Sequence, residues 1–113
     1  MNAVLKKGEC VLIPRVERAT SLFRRMKGLL GRSSLPPGQA VWLSPCNAVH
    51  TFGMRFDLDL VFLDRHMIVV RIVRGVRPRR LVGGGTRARS ALELAAGSLP
   101  ESALTEGDRL ELV

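Results

Sequence analysis

The chain has no tyrosine, one tryptophan and four phenylalanines in 113 residues. Aromatic platforms on which nucleobases stack are therefore scarce. Only two cysteines occur, Cys10 and Cys46, far apart in sequence; a small secreted scaffold held by disulfides would carry more. Residues 1–7 contain no apolar run long enough for a signal peptide, and no run elsewhere approaches the roughly 20 residues of a membrane-spanning helix. These shortages lead to the expectation of a cytoplasmic protein with reduced thiols and no membrane span. Lysine is scarce too. Fifteen of the eighteen basic residues are arginine, which pairs bidentately with carboxylate or phosphate as lysine does not.

A hydrophobic fraction of 46% is ordinary for a globular protein and too high for a disordered one. The length suits a single domain, 1–113, that buries about two-thirds of the surface its unfolded form exposes. One core is expected, with no metal, disulfide or cofactor to hold it. The net charge of +8 is unevenly spread. Residues 1–56 carry nine basic residues against two acids, and 57–64 carry three aspartates. Residues 65–89 hold eight arginines and no acid, whereas 90–113 hold one arginine and five acids.

Cys10-Val11-Leu12-Ile13 reads as a strand that Pro14 stops. Thr20 or Ser21 suits the N-cap of a short helix over residues 20–31, with Leu22, Met26, Leu29 and Leu30 on one apolar face and Gly31 as its stop. Gly28 inside that pattern costs about 1 kcal/mol against alanine. Leu35-Pro36-Pro37-Gly38 is a turn. Residues 40–43 read as a strand, broken by Ser44-Pro45-Cys46-Asn47. Residues 58–63 are apolar with few gaps, as in a strand buried on both faces. Asp64-Arg65-His66 then connects them to a β-branched strand over 67–73, paired antiparallel. Residues 74–89 have no period and read as a long loop with at most a short strand. A strand over 91–94 turns Glu93 outward, Leu99-Pro100-Glu101-Ser102 opens a helical turn, and Leu110-Glu111-Leu112 closes the chain as a strand. The sum is a mainly β fold, a compact antiparallel barrel or sandwich with one or two short helices, the first near residues 20–31.

A polar constellation lies between Cys46 and Asp64, where a thiol, an imidazole, a hydroxyl and a guanidinium fall within ten residues. Loops beside buried strands commonly hold binding groups. The run Pro45-Cys46-x-x-Val49-His50-Thr51-Phe52-Gly53-Met54-Arg55-Phe56-x-Leu58-Asp59-x-Val61-Phe62-Leu63-Asp64 resembles the signature of the domain of unknown function 192 family. Arg25-Met26-x-Gly28-Leu29-Leu30-Gly31-Arg32 resembles its upstream motif. Ala88-Arg89-Ser90-Ala91-Leu92-Glu93-Leu94-x-x-Gly97 and Gly107-Asp108-x-Leu110 resemble its downstream ones. The resemblance covers nearly the whole chain. It implies a mostly β, barrel-like bacterial or archaeal protein and no particular activity. Two departures stand out: Asp57 replaces a proline usual in the family, and the hairpin near His66-Met67 lacks a usual glycine.

The ligand-binding candidates are Cys46, His50, Thr51, Arg55 and Asp59. On a regular strand Arg55 and Asp59 lie on one face about 13 Å apart, with Asp57 between them, as the wall of a pocket; Met54 and Phe56 alternate with them as core. Cys46 and His50 at i and i+4 are metal-like only on a helix, which Pro45 opposes, and zinc needs about four ligands, so no metal site is expected. The leading reading is a non-catalytic binding module with a polar pocket near residues 46–64, its basic surroundings favouring an anionic small molecule. One alternative is a hydrolase or transferase using Cys46 with His50, set against Cys46 as a small buried hydrophobe. Another is electrostatic capture of nucleic acid or an acidic protein by Arg77, Arg79, Arg80, Arg87 and Arg89 in the 74–89 loop. That loop lacks an aromatic residue for stacking, so nucleic acid is the less favoured partner. A solvated charged loop is the simpler account of it.

Overall fold

The computed structural model describes residues 2–21 and 34–113. Among them are nine strands: β1 (Asn2–Lys7), β2 (Cys10–Ala19), β3 (Gln39–Leu43), β4 (Ala48–His50), β5 (Leu58–Leu63), β6 (Val69–Val76), β7 (Leu81–Gly83), β8 (Ser90–Ala95) and β9 (Glu111–Leu112). Glu101–Ala103 forms one 3-10 turn, as the proline before it suggests. The helix expected near residues 20–31 lies almost wholly outside the described residues.

Seven strands form one sheet in the order β6-β5-β8-β3-β2-β1-β9, and β4 pairs separately with β7. The expected antiparallel barrel or sandwich is corrected in two respects. First, the sheet is mixed, because β2 and β3 run parallel from Arg15↔Gln39 to Ala19↔Leu43. Parallel neighbours need a crossover rather than a hairpin, and residues 20–38 supply it. Second, the sheet curls but does not close. Among the described residues its ends meet through the Ile68↔Arg109 bridge and the hydrogen bonds from Val69 N to Asp108 O (2.8 Å), Gly107 N to Val69 O (2.8 Å) and Leu110 N to Met67 O (2.9 Å). β9 pairs instead with β1, so no continuous ladder runs from one edge strand to the other.

Pro14 does not stop β2. The β1–β2 register slips between Ala3↔Val16 and Leu5↔Ile13, so Pro14 falls at an irregularity where its missing N–H leaves no gap in the ladder. At the other sheet edge the turn expected at residues 64–66 is present. Met67 takes a left-handed backbone, φ 62°, a conformation that glycine adopts without strain. Asp64 fixes the bend, its Oδ1 accepting from His66 N (2.8 Å) and Ile68 N (3.0 Å).

β5 and β8 are interior strands of the sheet and are buried on both faces. Every residue of β5 is buried. The strand period of two sends Leu58, Leu60 and Phe62 into one core and Val61 and Leu63 into a second. β8 divides likewise, with Ala91 in the first core and Leu92 and Leu94 in the second. Glu93 is therefore not turned outward as expected; it is 3% exposed, because no face of this strand reaches solvent. The second core fills the inside of the curl, with Leu5, Ile13, Val16, Val69 and Leu110. The first is covered from outside by Val49, Met54 and Ala88, which sit on the two segments carrying the sequence-level site candidates.

Gly84 shows how closely that cover approaches. A Cβ built there would lie 2.4 Å from the Phe62 ring and 2.6 Å from the Ala88 methyl. Phe62 is fully buried and cannot retreat. Gly84→Ala is expected to destabilise the fold by about 1–3 kcal/mol through overpacking, read as a lower urea midpoint with an unchanged slope.

Asp59 marks a second constraint. The β5–β6 pairing steps from Leu58↔Val76 to Leu60↔Val73, so Arg74 and Gly75 together oppose Asp59 in a bulge, with Gly75 at φ 66°. The Asp59 carboxylate accepts from Gly75 N (2.9 Å) and from Gly97 N in the turn after β8 (3.0 Å). Arg74 Nη1 lies 3.5 Å from it and also donates to Leu99 O (3.0 Å). Asp59→Ala strands two backbone donors and a half-buried guanidinium, and is expected to cost about 3 kcal/mol in chemical denaturation.

Candidate functional site

β4 and β7 are three residues each, paired Ala48↔Gly83, Val49↔Val82 and His50↔Leu81. Val49 points into the core and its neighbours on β4 face solvent. One end of this small sheet is tied down by Thr51, which is 1% exposed. Its N–H donates to Arg80 O (2.8 Å) and its carbonyl accepts from Arg79 N (3.2 Å). Its hydroxyl donates to Arg77 O (2.7 Å) and accepts from Arg80 N (2.9 Å). Every polar group of Thr51 is thus spent in holding residues 77–80 against residues 50–54.

The other end is tied down by Arg89. Its N–H donates to Leu63 O and its carbonyl accepts from Cys46 N, both at 2.8 Å. The end of β5, the loop before β8 and the 44–47 loop therefore meet at one backbone unit. Gly84 N donates to Asn47 O (2.9 Å), and Arg71 Nη1 on β6 donates to Gly83 O.

Two hollows flank this junction, and Arg89 lines both. One, of about 410 Å³, is bounded by Pro45, Cys46, Asn47, Ala88 and Arg89. The other, of about 250 Å³, is bounded by Asp64, Arg65, His66, Arg87 and Arg89. Arg89 Nη1 donates to Thr86 O and Ala88 O, each at 3.0 Å. A guanidinium has five N–H donors, so the Nε–H and Nη2–H edge, the fork that grips carboxylate or phosphate, is left by these bonds for a ligand. Arg65 Nε donates to His66 Nε2 (3.2 Å). Asp64 is the one acid of the second hollow, and its Oδ1 is committed to the hairpin.

The five ligand candidates do not converge. Cys46 lines the larger hollow, partly buried against the first core, with its thiol donating to Ala48 O (3.1 Å). His50 is exposed and makes no hydrogen bond to Cys46; its ring lies 6.1 Å from that of Phe52. Thr51 and Asp59 are buried and bonded within the scaffold. Arg55 is exposed in the loop before β5. The expectation that Arg55, Asp57 and Asp59 share a strand face is corrected: Met54 N donates to Thr51 O (3.2 Å) and Gly53 adopts φ 83°, so the chain turns there and β5 begins at Leu58. Met54 and Phe56 pack into the first core as expected.

The five anion candidates, Arg77, Arg79, Arg80, Arg87 and Arg89, are all exposed. None forms an ion pair with an acid among the described residues. Arg65 and His66 were missed as partners of Arg87 and Arg89, since only the folded hairpin brings residues 64–66 beside 87–89. The arginine density from 65 to 89 was the signal available for them. Among the described residues no three His, Cys, Asp or Glu side chains cluster as metal ligands, and no helix is long and apolar enough to cross a membrane.

Residues 3–112 match the profile of a family described as DUF192, an uncharacterized ACR. A search of curated proteins finds no match. Among solved structures the chain is similar to a protein of unknown function from Novosphingobium aromaticivorans DSM 12444. The TM-score is 0.83 at 18% identity, over 98% of this chain and 84% of that one. It is also similar to a putative transcription regulator from Sinorhizobium meliloti 1021, with a TM-score of 0.79 at 20% identity over 97% and 90% of the two chains. At these identities the likeness is one of fold.

The Asp64 carboxyl is held below its ordinary value of 3.8 by the Ile68 backbone N–H first; the opposing effect of burial comes next and is outweighed by the Ile68 bond together with the His66 backbone N–H and the positive charges of His66 and Arg87. A carboxylate lowered on folding contributes stability that is complete above its unfolded value. That contribution is lost as pH falls through the folded value. Urea midpoints are therefore expected to hold down to pH ~4 and to drop toward pH ~2. Asp64→Asn, which keeps an acceptor but does not titrate, is expected to show a shallower drop over the same range.

Proposed function

The chain belongs to the domain of unknown function 192 family, and from the geometry around Arg89 we propose that it is a small binding module whose ligand is a small anion. The observation that carries this reading is the cluster of Arg65, His66, Arg87 and Arg89 about one hollow, with the donor edge of Arg89 uncommitted by its recorded bonds. Like charges gathered at a surface repel one another. A bound carboxylate or phosphate would relieve that repulsion and accept two parallel bonds from one guanidinium. Asp64 does not undo the balance, because three arginines face one carboxylate whose Oδ1 already accepts two backbone N–H groups. Cys46 and Asn47 line the neighbouring hollow, which gives room for the uncharged part of a ligand. Thr51 and Asp59 belong to this reading as supports that fix the loops.

The test is an amide NMR titration with inorganic phosphate, then with small phosphorylated and dicarboxylic compounds, at constant ionic strength. Shifts are expected to gather at residues 46–47, 64–66 and 87–89. Arg89→Lys keeps the charge but loses the fork, and is expected to weaken binding about tenfold, which is ~1.4 kcal/mol. Unmoved amides in those segments, or equal affinity in the lysine variant, would refute the proposal.

A further inference from the structure

The far end of the β4–β7 sheet carries a different surface. Phe52 is 54% exposed and Leu81 is 75% exposed. They are brought together because His50, whose ring lies beside that of Phe52 at an interplanar angle of 40°, is the cross-strand partner of Leu81. The Thr51 bonds fix the backbone of Arg77, Arg79 and Arg80 beside Phe52. Arg55 follows in the same loop. The segments that make this surface, 50–55 and 77–81, contain no acid. The arginine loop itself has no aromatic residue, as its sequence says; the pairing of His50 with Leu81, 31 residues apart, brings His50 of β4 and Phe52 just after it beside the loop.

We infer that this face, with Phe52 and His50 as a stacking platform and Arg55, Arg77, Arg79 and Arg80 around it, binds single-stranded nucleic acid. Two requirements meet here. An exposed phenyl ring beside an imidazole offers flat faces to an unstacked base, and base–aromatic stacking tolerates any sequence. The surrounding guanidiniums have no ion-pair partner among the described residues and suit a chain of regularly spaced phosphates. A duplex hides the faces of its bases, so the platform selects single strands. An acidic peptide would satisfy the arginines but leave the rings without planar partners. An acidic membrane would need a broader apolar face than one phenyl and one leucine side chain. This inference is independent of the Arg89 hollows, which lie at the other end of the small sheet.

The experiment is fluorescence anisotropy of labelled octathymidylate and octauridylate with the whole protein, across a salt series. Binding is expected to weaken with salt at a log–log slope of about −3, near 0.7 for each of four phosphates. Phe52→Ala, at an exposed position, is expected to reduce affinity roughly five- to a hundredfold while leaving that slope unchanged. The double variant Arg79→Gln, Arg80→Gln is expected to reduce the slope by about 1.4. Circular dichroism of each variant shows that the fold is kept. The inference is overturned by equal affinity of Phe52→Ala and the parent protein. It is likewise overturned by tighter binding to a duplex of the same length, by preference for phosphatidylserine vesicles over either oligonucleotide, or by no binding at low salt.

Discussion

Burial of β5 and β8 on both faces makes the outer cover of the sheet as necessary as its inner core. Leu58, Leu60 and Phe62 point away from the inside of the curl, and left uncovered they would expose three large apolar side chains, each worth about 2 kcal/mol or more when buried. The chain covers them with two segments of little regular structure, 44–57 and 81–89. These segments can lie flat only because their backbone groups are satisfied by each other. Thr51 joins them at one end, Arg89 at the other, and the three-residue pairing of β4 with β7 lies between. The places where polar and basic side chains are presented to solvent are therefore fixed by the demands of the core beneath.

This arrangement separates two roles within a short stretch of sequence. Side chains with buried, fully bonded polar groups, Thr51 and Asp59, hold the cover and the bulge. Side chains with charge turned to solvent, Arg77, Arg79, Arg80, Arg87 and Arg89, form no ion pair with an acid among the described residues, although Arg87 is near enough to Asp64 to lower its carboxyl. Arg74 falls with the first group despite belonging to the same run, because Asp59 and the carbonyls of Leu99 and Pro100 occupy its guanidinium. Asp108, in the acidic segment after residue 90, pairs with Lys7 at 2.9 Å, across the sheet edge near β9, and not with the basic loop.

Much of the fold was legible where local pattern and burial coincide. The unbroken apolar run of β5, the β-branched run of β6, the proline turn before β3 and the hairpin at Asp64 all follow from short-range chemistry. Local pattern misled where a partner far along the chain decides. Pro14 sits inside β2 because the opposing β1 slips its register there. Glu93 is buried because its strand is central, which its alternation with apolar neighbours could not reveal. The candidate site was half legible: Cys46 and the arginines were visible as residue types, while Arg65, His66 and Phe52 gained their significance from contacts made by the folded hairpin and by β4 with β7. Strands of three residues carry almost no periodic signal, so that last pairing was beyond reach of the sequence.

The central claim, that the cover presents an anion site at the Arg89 junction, is tested most directly by locating an anion there. Crystals grown without phosphate or sulfate and soaked in selenate are expected to show an anomalous selenium peak about 4 Å from Arg89 Nε or Nη2, which puts a selenate oxygen within hydrogen-bond distance of the guanidinium, facing His66 or Asn47. Selenate found only between neighbouring molecules, with both hollows empty, would contradict the account.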